Sequence, residues 1–235
     1  MATKSVEQRL DDLEETNDRL QARNEELEHE VVRQQDVHEI QNLMSRYIYL
    51  LLAREWEKMM DLFASKTPGV RASRGNWGIY DGREGVRRLY VDMHKRIEAG
   101  KPGLMICLPI TTPVIEVAGD GQTAKGVWIA PGGESMEKEG KIKAFWAWCK
   151  YGVDFVKEDG KWKIWHKAVH GMFFTPYDTS WVDTPINPFF SLPDQLKADR
   201  PPTYFWMYTP DGWTDNVPAP PEPYETWDES MSYVD

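Results

Sequence analysis

The sequence predicts an α+β domain: one curved antiparallel sheet with helices packed on one of its faces. Three observations lead there. Helix-patterned sequence comes first and runs to about residue 99. Long apolar, Trp-rich strand candidates then fill residues 104–175, entered through Gly-Asp turns of the kind that make hairpins. No strand-helix-strand repeat appears, which argues against a parallel, doubly wound sheet.

The elements follow in order. Residues 1–35 read as a coiled-coil arm. Leu10, Asn17, Asn24 and Val31 take heptad position a, and Val6, Leu13, Leu20 and Leu27 take d. Arg9 with Glu14, and Arg23 with Glu28, fall at g and the following e, where pairs close between parallel neighbours. Asn at a with Leu at d favours two parallel strands over three. Residues 36–63 continue helical, with Val37, Ile40, Met44, Tyr47 and Leu51 on one buried stripe. Residues 70–80 form a short strand ending at Asp81-Gly82, and residues 83–99 a further helix closed by Gly100 and Pro102. Residues 104–110 open the sheet. Residues 113–117 and 123–129 pair across Ala118-Gly119-Asp120-Gly121-Gln122, and Pro131-Gly132-Gly133 reads as a loop. Residues 141–156 and 161–174 are the long final strands, joined through Glu158-Asp159-Gly160. After Pro176, prolines interrupt every possible element. The aromatic residues of 184–213 nevertheless argue for an ordered arm, with 216–235 loose. The division is a coiled-coil oligomerisation arm (1–35), an α+β domain (36–176) and a Pro- and aromatic-rich C-terminal arm with a loose tail (177–235).

Composition removes several function classes. The net charge is −10 and the isoelectric point is near 5.1. With no basic cluster, neither nucleic acid nor an anionic membrane is an expected partner. No apolar run approaches the ~20 residues that span a bilayer. Cys107 and Cys149 both sit in apolar strand candidates, and the N-terminus is polar and charged, so the expectation is a reducing cytoplasm. There is no Gly-rich dinucleotide fingerprint, P-loop or Gly-x-Ser-x-Gly elbow, and no recognisable set of metal ligands. Any chemistry is therefore expected to be acid-base work without cofactor or metal. The 11 tryptophans exceed what most chains carry and point to an aromatic-lined pocket or interface.

One family shares this order. Tyr47 with the Arg54-Glu55-Trp56 turn, Tyr80-Asp81-Gly82-Arg83-Glu84-Gly85, Thr112-Pro113-Val114-Ile115-Glu116-Val117 and Asp159-Gly160-Lys161-Trp162-Lys163-Ile164 together resemble the SnoaL-like branch of the NTF2-like superfamily. The resemblance covers about residues 37–170. It implies a cone-shaped α+β fold whose enzymes hold acid-base residues inside the cone, although the family also includes members that only bind. Two family features are missing. Leu52 stands where an Asp follows the helix Tyr by five residues, and the strand Met105-Ile106-Cys107-Leu108-Pro109-Ile110 lacks a His. The aromatic strands and the Thr175-Pro176-Tyr177-Asp178 ending also resemble the diarylpropane lyases of lignin-degrading sphingomonads, which release formaldehyde without a cofactor.

Strand parity selects the candidate groups. Trp162, Ile164, His166, Ala168, His170 and Met172 share one face by simple alternation, and Trp165, Lys167, Val169 and Phe173 the other. His166 and His170 are thus expected to point into the cone as proton shuttles, with Tyr47, Tyr151 and Asp154 as further catalytic candidates. Arg71, Arg74, Trp77, Lys143, Trp148 and Lys150 are the candidates for holding substrate, the cations by stabilising an oxyanion or phenolate. The expected function is a homo-oligomeric lyase, dimer or trimer, acting on an aromatic or polycyclic small molecule by deformylation or dehydration. The alternative is a non-catalytic small-molecule-binding or assembly module.

Overall fold

The structure is a computed structural model that describes residues 5–98, 101–184, 192–204 and 208–234. Its first element, α1 (Val6–Leu52), opens on a capping box: the Ser5 hydroxyl accepts from the Gln8 N–H while the Gln8 side chain accepts from the Ser5 N–H. The helix runs without a break from the arm into the domain. Only from Asp36 onward does it bury a stripe, made of Asp36, Ile40, Met44, Tyr47 and Leu51. The buried Asp36 accepts from Lys157 Nζ (2.8 Å) and Trp162 Nε1 (2.8 Å), which fastens the helix to the sheet beside the Asp159-Gly160 turn.

Short helix α2 (Trp56–Met60) follows, then β1 (Arg71–Arg74) and β2 (Ile79–Asp81), separated by a 3-10 turn at Gly75–Trp77. The helix expected over 83–99 is instead α3 (Gly82–Arg87), a π-helical turn (Arg88–Asp92) and α4 (Met93–Glu98). The wider π turn accompanies three successive buried residues, Leu89, Tyr90 and Val91, facing the core.

The remaining strands are β3 (Met105–Cys107), β4 (Thr111–Val117), β5 (Thr123–Lys138), β6 (Lys141–Glu158) and β7 (Lys161–Pro176). They form a curved, unclosed sheet in the order β2-β1-β7-β6-β5-β3, with β4 also on β5. The α+β class is as expected, with one addition: β1 runs parallel to β7. The turn at Asp159-Gly160 has φ of 50° and 72°, and Glu139-Gly140 has φ of 55° and 74°. Both are two-residue hairpins with positive φ at each central position. β5 runs through Pro131-Gly132-Gly133, paired with Trp148, Ala147 and Trp146 of β6, so those residues are strand and not the expected loop. Gly132 is required there because a Cβ would lie 2.0 Å from the Cys107 carbonyl oxygen of β3.

The tail is the other correction. Residues 216–234 are not loose. The Gly119 N–H donates to the Tyr224 carbonyl (2.9 Å), Val234 is 1% exposed, and Pro218 and Tyr233 press against Gly152, where a Cβ would meet the Tyr233 ring at 2.8 Å. Of the arm expected over 184–213, residues 185–191 and 205–207 lie outside the described residues. Within the rest, Tyr80 Oη donates to the Leu196 carbonyl (3.0 Å) and Ile79 bridges to Arg200, whereas Trp213 is fully solvated. No helix among the described residues is long and apolar enough to cross a membrane.

Candidate active site

Two β-bulges decide which side chains enter the cone. The β6–β7 ladder pairs Phe155 with Ile164 but Asp154 with His166, leaving Trp165 as an extra residue on β7. A second shift, between Trp148↔Phe173 and Cys149↔Gly171, leaves Met172 unpaired. Each bulge inverts the alternation. Trp162 and Ile164 face the core, as expected, but beyond Trp165 the inner face passes to Lys167, Val169 and Gly171. His166 and His170, expected inside, lie on the outer face opposite Asp154 and Lys150.

The inner face holds a compact cluster. Lys167, opposite Val153, is fully buried. Its ammonium lies 4.0 Å from the ring centre of Tyr151, 4.6 Å from Tyr47 and 5.3 Å from Tyr90. It donates a hydrogen bond to Tyr90 Oη at 3.2 Å. The three tyrosines come from separate elements: Tyr47 from the buried stripe of α1, Tyr90 from the π turn, Tyr151 from β6. Tyr90 meets Tyr47 edge to face at 5.9 Å and stacks on Phe63 at 5.3 Å. Among the described residues, no carboxylate pairs with Lys167. Arg74, opposite Val169 on β1, lies near enough to act electrostatically on all four groups. Its guanidinium sits over Trp77 at 4.7 Å. Cys149 and Glu134, both buried, complete the inner face toward the open end.

Burial sets the protonation states. The Lys167 ammonium is pushed by burial down to about 7, with Cys149 opposing the shift and Arg74 adding to it. The same burial raises the tyrosine hydroxyls, so all three stay protonated at neutral pH. The Cys149 thiol is pushed up to about 12 and is no nucleophile there. The result is an amine near half-deprotonation surrounded by proton donors and one fixed cation. Along β7 burial then relaxes from Ile164 and Lys167, both enclosed, to half-buried Val169, Gly171 and Phe174. Lys167 therefore sits at the most enclosed part of this face, and the strand becomes more exposed beyond it.

The outer face carries the other predicted groups. Asp154 accepts from Lys125 Nζ (2.7 Å), His166 Nδ1 (2.9 Å), Ser232 Oγ (3.2 Å) and the Tyr233 N–H (3.1 Å). The His166 ring is stacked against Trp165 and tilted against Trp227. Burial lowers His166 below the usual histidine range, with Asp154 opposing the shift. Arg71 bonds the Val234 carbonyl, Ser232 and Glu229. Lys150 donates to the Asp215 carbonyl (2.8 Å), Lys143 lies at the solvated hairpin end beside Glu139, and Trp148 stacks on Phe173. His170, beside Tyr204, lines a cleft of about 270 Å³ between the sheet and the C-terminal arm. Burial pushes its imidazole down to about 4, which leaves it neutral and a weak base.

Of the eleven predicted residues, Tyr47, Tyr151, Arg74 and Trp77 gather inside the cone, and the others do not. Sequence reasoning missed Lys167 and Tyr90 and passed over Glu134 and Cys149. The signal for Lys167 was its place in a strand of apolar residues, where a cation is costly. Simple parity sent it outward. Among the described residues, no three His, Cys, Asp or Glu side chains converge as a metal site would require.

Comparison with known proteins agrees with this architecture. A family model for the SnoaL-like domain matches residues 32–168, more than half of the chain. A candidate scytalone dehydratase from Novosphingobium aromaticivorans DSM 12444 superposes with a TM-score of 0.51 at 15% identity, over 63% of this chain and 92% of that one. A hexachlorocyclohexane dehydrochlorinase, LinA-type3 from Novosphingobium barchaimii LL02, gives 0.52 at 16% identity, over 64% and 96%. A dehydratase candidate of the NTF2-like family from Streptomyces avermitilis gives 0.51 at 14%, over 60% and 98%. At these identities the likeness is one of fold. No curated protein matches the sequence.

Proposed function

The chain belongs to the SnoaL-like family, and on that premise we propose that it is a lyase acting on a hydroxylated aromatic small molecule inside the cone. The observation that carries this reading is Lys167, buried beneath three tyrosines with no carboxylate paired to it among the described residues. A lysine held near neutrality by desolvation is a general base at physiological pH. Tyr47 and Tyr151 hold substrate oxygens, and Arg74 with Trp77 receives a phenolate or an aromatic ring. Solved neighbours of the same fold carry the names of dehydratases and dehydrochlorinases, which are elimination chemistries.

For a diaryl propanediol the steps balance as follows. Lys167 removes the primary hydroxyl proton. The adjacent carbon–carbon bond breaks, releasing formaldehyde, and its electron pair forms the new double bond. The secondary hydroxyl leaves as water with a proton from Tyr90. The Lys167 ammonium returns a proton to Tyr90 across their 3.2 Å contact, so the cycle needs no external oxidant or reductant. Dehydration uses the same pair, with a C–H proton in place of the O–H proton. Lys167 and its acid partner would each contribute on the order of 10²–10⁴-fold.

The experiment is incubation of the purified chain, and of its Lys167→Met variant, with diaryl propanediols and hydroxylated polycycles. Formaldehyde with a stilbene chromophore marks deformylation, and loss of one water alone marks dehydration. Turnover that persists in Lys167→Met sinks the assignment of the base. A second reading, a binding or assembly module, draws on the complete enclosure of Lys167 and on the missing family Asp and His. It predicts ligand affinity with no turnover across the panel.

A further inference from the structure

The first thirty residues of α1 present a problem that the rest of the fold does not solve. The helix is 47 residues long, about 70 Å at 1.5 Å per residue, and its first half touches almost nothing. Val6, Leu10, Leu13, Leu20, Leu27 and Val31 are between 41% and 75% exposed, although they recur at heptad spacing. A solitary helix of this kind is marginal in water, and a row of solvated leucines is costly to leave uncovered. Among the described residues, the ion pair that ties the arm to the sheet is Arg33 to Glu116 at 3.1 Å, at the arm's very end.

We propose that a second copy of the chain covers this stripe in a parallel, two-stranded coiled coil, and that the coil is rigidly continuous with the active-site helix. Three features of the arm fix the occupant. The seam is self-complementary, with Leu or Val at d and Asn17 and Asn24 stacked at a, where each Asn side chain meets its own counterpart only in a parallel, in-register pair. The flanking charges agree: Arg9 and Arg23 at g reach Glu14 and Glu28 at e of the neighbour, and Arg23, which pairs with Glu26 of its own helix in the single chain, is solvated and able to turn. The third feature is rotational. At 100° per residue, the seam of 6–31 is centred roughly half a turn from the stripe of Ile40, Met44, Tyr47 and Leu51 that enters the core. A partner helix therefore docks on the side away from the domain, with the two cones on opposite flanks of the coil and no clash between them.

The continuity has a consequence for the site. No glycine, proline or helix break separates Val31 from Tyr47, so the coil holds the helix that carries Tyr47. This inference does not rest on the proposed reaction, and its test is independent of turnover.

Sedimentation velocity of the full chain is expected to give twice the 27.3 kDa of one chain. The double variant Leu13→Asp, Leu20→Asp is expected to sediment as a monomer while its near-ultraviolet dichroism stays that of the wild type. Reversing the g positions (Arg9→Glu, Arg23→Glu) weakens the dimer roughly tenfold. Adding Glu14→Arg and Glu28→Arg to the same chain restores it. A Leu10→Cys chain crosslinks to its own copy on mild oxidation, since position a meets position a only in the parallel arrangement. A monomeric wild type, a trimer, an oligomer indifferent to Leu13→Asp, Leu20→Asp, or a Leu10→Cys chain that fails to link would each overturn the proposal.

Discussion

Strands β6 and β7 carry a buried lysine or histidine on each of their faces, and the two faces treat it oppositely. On the outer face, Asp154 gathers four donors, among them Lys125 and His166, and the last residues of the chain close over the group. Every charge there has its complement. On the inner face Lys167 has one hydroxyl partner and three aromatic rings, and no carboxylate among the described residues. The Asp154 carboxylate is fully engaged, while His166 Nε2 has no hydrogen-bond partner among the described residues. On the inner face, burial with no paired carboxylate keeps the Lys167 amine near neutrality, which is the condition proton transfer needs. A histidine beside an aspartate, the arrangement that draws the eye in a sequence, is here the latch for the tail.

Removal of Lys167 separates the two faces most sharply. Lys167→Met is expected to lower turnover by about 10²–10⁴-fold while raising the melting temperature. The sign follows from its depressed folded-state pKa. The penalty of holding the charged amine in the core is present in full below about pH 7 and is relieved as pH rises from there toward the unfolded value of 10.5. Methionine removes it at every pH. Wild-type kcat/KM should correspondingly rise through about pH 7 to a plateau, and Lys167→Arg, which stays protonated, should be inactive across the range.

The mirror experiment is Asp154→Ala. It strands Lys125 without its carboxylate in a buried site, and removing one partner of such a pair typically costs about 3–5 kcal/mol. Denaturant unfolding should show that loss, together with easier proteolysis of residues 216–234. Turnover per folded molecule should stay within about twofold of wild type, because the carboxylate points away from the cone. A collapse in turnover of still-folded Asp154→Ala would break the contrast.

His170→Ala should have the smallest effect. The folded imidazole titrates at about 4 against an ordinary 6.5. Its contribution to stability is present above 6.5 and is lost as pH falls from 6.5 through 4, where the unfolded chain binds the proton more readily. The variant should flatten that acid limb of the melting-temperature profile and leave turnover unchanged. A pH-rate profile altered by His170→Ala would return the histidine to the chemistry.

Much of this protein was readable from local pattern. The buried stripe of Ile40, Met44, Tyr47 and Leu51, the Asp159-Gly160 hairpin and the α+β class all depend on interactions within a few residues, which sequence spacing encodes directly. Hence Tyr47, whose helix phase is set by counting, was placed correctly. The π turn at Arg88–Asp92, the strand through Gly132, the docking of residues 216–234 and the inward turn of Lys167 were decided only in three dimensions. Each depends on a partner far away in the chain: Gly132 on Cys107, Gly152 on Tyr233, the bulge at Trp165 on the register of β6. A single unpaired residue there exchanges the two faces of a strand. Alternation along a strand determines which residues share a face, but the ladder to its neighbour determines where that alternation restarts, and so whether the cone closes around a histidine or a lysine.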